Sequence, residues 1–353
     1  MRIALHITPG FMEVGGGGPT VVRGTAQSLA KAGVDVTLWN QWEQSLREFD
    51  IVQIFGLHRH DEPVVTQAKA QGTKVAIVPI FWRDWDTLWG QTEGELAARL
   101  RGFYAYARLR LFSHLGGPIR RILEGADVLF PNSRAEARML NKFFPFVGSS
   151  RMHVVPNAVE ASFADAEPGP FMHTFGLDKF ILHVGFFSPR KNQLRLIRAM
   201  KDSRHPVVFI GKAASPVHEE YYRRCRRAAT GNMHFLGAMA SNSEMLKSAY
   251  AAARVFAFPS ICETPGLAAL EAALAGCSLA ITTGGSTREY FRDYVTYVSP
   301  VNLNSIRDGV EKAAEAGPNP LLTQHILQNF TWDRVTEKLV LEYRRLLGKT
   351  ASP

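Results

Sequence analysis

Short β-branched runs alternate with amphipathic stretches along most of the chain. In the first half, RIALHIT (2–8), VDVTLW (34–39), DIVQIF (50–55), KVAIVP (74–79), ADVLFP (126–131) and MHVVP (152–156) read as strands. Stretches with helical spacing, such as TVVRGTAQSLAKAG and NSRAEARMLNKFF, lie between them. Strands alternating with helices predict a parallel sheet covered on both faces. Residues 157–179, NAVEASFADAEPGPFMHTFGLDK, carry Pro and Gly without a clear period and read as an interdomain linker. The alternation then restarts with KFILHVGFF, HPVVFIGK, MHFLG, ARVFAFP, CSLAITT and VTYVSP, and closes on an amphipathic helix, WDRVTEKLVLEYRRLL (332–347). The pattern predicts two doubly wound α/β domains in tandem, with a cleft between them.

Composition fits that picture. At 353 residues the chain is long enough for two domains. With 46% hydrophobic and 21% charged residues it has the balance of a soluble globular protein, and no apolar run approaches the ~20 residues that span a bilayer. The opening MRIALHITPGF reads as a first strand and not as a signal peptide. Cys225, Cys262 and Cys277 form no CxxC pair, which predicts free thiols in a reduced, cytoplasmic setting. A formal charge of +9 implies an anionic partner: nucleic acid, a membrane surface or a phosphate-bearing small molecule. A nucleic-acid binder needs a dense basic stripe with stacking aromatics, whereas the cations here are scattered, so that class is set aside.

In doubly wound sheets ligands bind beyond the carboxyl ends of the strands, near helix N-termini. Two polar clusters follow predicted strands. GFFSPRKNQ (185–193) puts Arg190 and Lys191 where the chain turns into a helix, so that two cations and free backbone N–H groups can meet one anion. PSICETPGLAALEAALAGC (259–277) sets Glu263 in a short loop and Glu271 in the second turn of a helix starting near Pro265-Gly266. The N–H groups of Gly266 and Leu267 suit phosphate oxygens, and each carboxylate can grip a pair of sugar hydroxyls. Paired carboxylates also suit hydrolysis of a glycosidic bond, and a helix-start carboxylate with an incidental salt bridge is the plain structural alternative.

ETPGLAALE resembles the E-x7-E motif of retaining glycosyltransferases of the GT-B fold, specifically family 4. GGGGP (15–19), VPNAVE (155–160), SPRKNQ (188–193), LGAMASNSEM (236–245), TTGGSTREYF (282–291) and the closing NFTWDRVTEKLVLEYRRLL occur in that family's order across essentially the whole chain. The resemblance implies an α/β, GT-B architecture of two Rossmann-like domains facing a central cleft. The expected parts are an acceptor-side domain 1–160, a linker 161–178, a donor domain 179–328 and a closing helix 329–348 packing back on the first domain. It further implies that Glu271 binds ribose hydroxyls, that Glu263 contacts the transferred sugar, and that Arg190 and Lys191 hold the diphosphate and stabilise it as it leaves. Gly266 and Leu267 assist, Gly16 and Gly17 close over the phosphates, and 237–240 lines the base pocket. Preset positive charge removes the need for a metal or other cofactor, so DWD (84–86) is read as chance or as acceptor-side polar groups.

The chain also departs from the family. Where relatives carry histidines near the transferred sugar, it has Gln53, Phe55 and Ile80. His58, His60 and Asp84 are the candidate substitutes, with Trp85, beside Trp82 and Trp89, in an aromatic loop on the acceptor side. Retention by front-side attack lets the leaving phosphate take the acceptor proton, so this absence does not rule out catalysis. Residues 95–123 hold six arginines and one acidic residue among aromatics and leucines, a pattern suited to a membrane surface. The resulting expectation is a metal-independent retaining glycosyltransferase. It would move a hexose or related sugar from a nucleoside diphosphate sugar to a glycan or lipid-linked glycan, at the inner face of a membrane. The alternative is a non-catalytic sugar-nucleotide or glycan binder on the same fold; a hydrolase or epimerase is a closer variant.

Overall fold

A computed structural model describes residues 1–8, 17–90, 96–112 and 117–349. The chain divides into two compact units. The first comprises the described residues of Met1–Arg83, Phe103–Ala158 and Trp332–Pro353; the second, those of Asp84–Gly102 and Val159–Thr331.

The first unit is built on a five-stranded sheet, β2-β1-β3-β4-β5, paired in parallel throughout. Its strands are β1 (Arg2–Ile7), β2 (Asp35–Leu38), β3 (Ile51–Phe55), β4 (Lys74–Val78) and β5 (Val128–Leu129). The two-residue strand period sends Val52 and Ile54 to one face, with Ile122, Leu140 and Phe143, and Ile51 and Phe55 to the other, with Val22, Leu29, Leu339 and Tyr343. Gln53, on that second apolar face, is satisfied by the Tyr343 hydroxyl at 2.6 Å. Helix Trp332–Leu346 lies so close to helix Gly17–Lys31 that a Cβ on Gly24 would meet the Trp332 indole at 2.0 Å. The run MHVVP, expected as a strand, makes only a bridge from Met152 to Leu129, with His153 and Val155 N–H donating to Leu129 and Pro131. Pro131 and Pro156 withhold the donors that a longer ladder needs.

The second unit holds a six-stranded parallel sheet, β11-β10-β9-β6-β7-β8. Its strands are β6 (Ile181–Val184), β7 (Val207–Ile210), β8 (Met233–Phe235), β9 (Val255–Phe258), β10 (Ser278–Thr282) and β11 (Thr296–Val298). This is the doubly wound order in which the winding direction reverses between the first and fourth strands, here β6 and β9. β7 and β9 are buried along their whole length, because helices cover both faces.

Two expectations are corrected. Residues 161–178 are not a free linker: they form a 3-10 turn (Ala161–Asp165) and a helix (Gly169–Phe175) that belong to the second unit's core. Phe163 and Phe171 are fully buried, Phe171 lies 5.1 Å from Phe180 between ring centres, and its N–H donates to Ser248 Oγ. Burial of these two rings outweighs the turn-forming Pro and Gly around them. The expected aromatic loop is helical over Trp85–Gly90, and this segment groups with the second unit instead of the acceptor-side domain. The cause is contact: Arg195 donates to the Gly90 carbonyl at 3.2 Å, and a Cβ on Gly90 would stand 2.7 Å from Ile261. The three cysteines are free and buried. Among the described residues no helix is long and apolar enough to cross a membrane.

Candidate functional site

The second unit gathers its charged groups where β6 and β9 diverge, the crevice in which doubly wound sheets hold ligands. Two loops meet there, 185–192 after β6 and 259–266 after β9. Buried Asn192, in the left-handed region at φ 64°, ties them together: its Nδ2 donates to the carbonyls of Pro259 and Pro300, both at 2.7 Å. The Ile261 N–H adds a bond of 2.8 Å to the Arg190 carbonyl. Helix Gln193–Ala199 then starts, with Arg195 donating to Asn192 Oδ1 at 2.9 Å.

This clamp brings Arg190, Lys191 and Glu263 into one cluster. Lys191 Nζ lies 2.7 Å from Glu263 Oε1, and Arg190 reaches the same oxygen at 3.3 Å and the Cys262 carbonyl at 2.9 Å. The Lys191 ammonium also sits 4.4 Å above the Phe258 ring. The Glu263 side chain is 4% exposed and that of Arg190 45%, so the carboxylate is sealed while one cation still faces solvent. Burial alone would raise the Glu263 carboxyl, but Lys191 and Arg190 overcome it and hold it below the ordinary range. Burial pushes the Lys191 ammonium down to about 8 against the opposing pull of Glu263.

Glycine is required at two points around Glu263. A Cβ on Gly266 (φ 92°) would fall 2.8 Å from Phe258 and 3.1 Å from Glu263 Oε2; one on Gly285 (φ 92°) would fall 1.9 Å from the Glu263 carbonyl oxygen. The close approach at Gly285 lets Ser286 N–H donate to that carbonyl at 2.9 Å, stitching the loop after β10 to the acidic loop. Pro265 precedes the helix by two residues; Gly266 is the N-cap of helix Leu267–Leu274. The Leu267 N–H, in the first turn, has no partner within the helix and lies at its positive end.

Glu271 stands in the second turn of the same helix, half-buried. The buried Tyr250 hydroxyl donates to its Oε2 at 2.7 Å, leaving Oε1 for another donor. Burial raises this carboxyl to about 7, against the Tyr250 hydrogen bond and the Lys191 charge that favour ionisation. Lys191 therefore acts on both glutamates, so the two motifs share one electrostatic environment. Chemically, two cations facing one carboxylate leave net positive charge beside a helix N-terminus, an anion site with two carboxyl groups at its border.

His183, absent from the sequence reading, sits beneath this cluster. It is wholly buried on β6, bonds the Ala257 carbonyl through Nδ1 at 2.9 Å, and leaves Nε2 without a partner. Burial drives its pKa down to about 4, keeping it neutral below the two cations. Its one sequence signal was a histidine inside the apolar run FILHV.

The remaining candidates stand elsewhere. Gly16 lies outside the described residues; Gly17 opens helix Gly17–Lys31 of the first unit. His58 is half-buried in the first unit, and a Cβ on Gly56 would meet its ring at 2.5 Å; His60 is exposed. Asp84 caps helix Trp85–Gly90, its Oδ1 accepting from Thr87 N–H at 2.6 Å, and Trp85 packs 5.4 Å from Trp89. Among the described residues no group of three or more His, Cys, Asp or Glu is placed to hold a metal ion.

Residues 173–324 match the family described as glycosyl transferases group 1. An uncharacterized glycosyltransferase of Methanocaldococcus jannaschii is 27% identical over 177 residues, 47% of this chain and 45% of that protein; the match thus spans less than half the relative's length. Among solved structures, sucrose-phosphate synthase from Thermosynechococcus elongatus superposes with a TM-score of 0.73 at 17% identity, over 99% of this chain and 100% of that one. Anabaena HepE in complex with UDP and glucose gives 0.69 at 15% identity, over 98% and 100%. The chain thus has a GT-B fold of two Rossmann-like α/β domains, and its residues 173–324 carry the match to the glycosyl transferases group 1 family.

Proposed function

We propose that the protein is a retaining, metal-independent glycosyltransferase that takes its sugar from a nucleoside diphosphate sugar. The observation that carries this reading is the convergence of Arg190, Lys191 and Glu263 at the β6/β9 divergence, bordered by Gly266, Leu267 and Glu271. Arg190 and Lys191 receive the diphosphate, with the Leu267 N–H beside them, and stabilise the charge that grows as the C–O bond to phosphate breaks. The Glu263 carboxylate, paired with Lys191, is displaced toward a sugar hydroxyl when the diphosphate becomes the lysine's partner. Glu271 Oε1 accepts from the ribose while Tyr250 holds Oε2. Fixed cations perform the task that a divalent ion performs elsewhere, so turnover should survive EDTA.

The structural neighbour holding UDP and glucose supports UDP-glucose as the first donor to test. For the acceptor we propose a glycan or lipid-linked glycan, as in polysaccharide biosynthesis. Leu96, Leu100, Phe103 and Tyr104 are all exposed and recur with helical spacing along Leu96–Phe112, which supports peripheral contact of this helix with the inner membrane face. A thermal-shift panel of UDP-, GDP- and ADP-sugars, followed by release of the nucleotide on turnover, tests the function. Selective stabilisation by one base with turnover supports it; stabilisation without turnover favours a non-catalytic binder, and no stabilisation by any donor rejects it.

A further inference from the structure

The second unit has another concavity, at the opposite end of its sheet from the charged cluster. A groove of about 750 Å³ lies at the amino ends of β10 and β11, between helix Leu303–Ala316 and the chain leading into helix Pro320–Asn329. β11 is the edge strand of the sheet, and its Thr296 and Tyr297 line the groove. Alternation along β10 turns Ser278, with Ala280, toward helix Leu303–Ala316. Ser278 is 6% exposed, lines the groove, and its hydroxyl is buried without a hydrogen-bond partner.

The lining combines fixed aromatic rings with charges of both signs. Tyr297 is held from two directions: the Arg288 guanidinium stands 4.3 Å from its ring centre, and its hydroxyl donates to the Arg292 carbonyl at 2.7 Å. Two exposed carboxylates border the groove. Asp293 makes no hydrogen bond or ion pair with a described residue, and Arg307 stands 3.5 Å from Asp308 Oδ1, which leaves Oδ2 open. Lys312, also exposed, has no ion pair with a described residue.

This lining discriminates among ligands. An acyl chain would desolvate both carboxylates and bond neither. A phosphate-bearing ligand would meet two carboxylates for one ammonium, and a polycation would meet Lys312. A saccharide fits all three demands. Its hydroxyls donate and accept, so they match carboxylate, ammonium and the Ser278 hydroxyl together. The C–H face of a pyranose packs on the face of a phenol ring already held in place. The volume lies within the range of small-molecule sites, ~300–1,000 Å³.

We propose that this groove is a saccharide-binding site, separate from the donor crevice, for a neutral oligosaccharide of about two or three sugar units. Asp293 and Asp308 accept from its hydroxyls, Lys312 donates to them, and Tyr297 packs against a ring face. The site goes beyond the glycosyltransferase reading and does not depend on it.

Calorimetric titration with maltotriose, mannotriose and triacetylchitotriose tests the site in wild-type protein, Asp308→Ala and Ala316→Trp, with UDP affinity measured in each. Asp308 and Ala316 are both exposed, so neither change disturbs the core. At least one trisaccharide should saturate wild-type protein one-to-one, equally well with UDP bound. Asp308→Ala should weaken it about tenfold. Ala316→Trp, which fills the groove, should abolish it, and UDP affinity should stay unchanged in both. Saturation by none of the three, displacement by UDP, or equal trisaccharide affinity in all three proteins overturns the proposal. Should Ala316→Trp fail to fold, Asp308→Ala decides alone. Wild-type protein that binds a trisaccharide in this groove but no UDP supports the site and contradicts only the donor-site reading.

Discussion

Lys191 Nζ stands 2.7 Å from Glu263 Oε1, and both side chains are nearly closed to solvent. Each therefore depends on the other for its charged form. Removing one partner strands the other, so Lys191→Met should destabilise the protein by about 3 kcal/mol. Adding Glu263→Gln should restore most of that loss. Urea unfolding of the two single variants and the double variant measures the coupling; strictly additive effects would show that the pair is not an energetic unit.

Donor affinity should fall as pH rises through about 8, where Lys191 loses its proton in the free protein. A bound diphosphate favours the ammonium, so binding takes up a proton above that pH and weakens as protons become scarce. Calorimetric titration of UDP between pH 7 and 9.5 measures the slope. Lys191→Arg, which stays charged throughout, should flatten it.

Glu271 makes the opposite contribution to folding. Its carboxyl is raised from 4.5 to about 7 in the folded chain. Between those values the unfolded chain releases the proton and the folded one keeps it, so the stability that Glu271 contributes is full at low pH and drains away as pH rises. Glu271→Gln should match wild-type Tm near pH 4.5, exceed it at pH 8, and still bind UDP about tenfold more weakly through its lost ribose contact. A Tm difference that does not change with pH would contradict the assignment.

Phe171→Ala tests whether residues 161–178 belong to the core. A ring buried against Phe180 should cost about 4 kcal/mol when removed. A flexible linker would lose almost nothing, and equilibrium unfolding tells the two apart.

Much of this arrangement was legible in the sequence because it rests on local signals. All six strands of the second unit appeared as short apolar runs, and Arg190, Lys191 and Glu263 each follow a strand end. What escaped depends on contacts between distant residues. Phe163 and Phe171 sit among prolines and glycines, so their burial shows only when Tyr250 and Phe180 are in place. In the sequence Asp84 reads as an acceptor-side polar group, whereas in the fold it accepts from the Thr87 N–H at the start of helix Trp85–Gly90. Tyr250 lies 21 positions before Glu271, a pairing that leaves no local trace.

The most direct measurement is calorimetric titration of UDP into wild-type protein, Arg190→Ala and Glu271→Ala. The account predicts saturable one-to-one binding by wild type, weakened at least tenfold in each variant while both keep a cooperative unfolding transition. Equal affinity in all three proteins would place the nucleotide elsewhere and contradict the account.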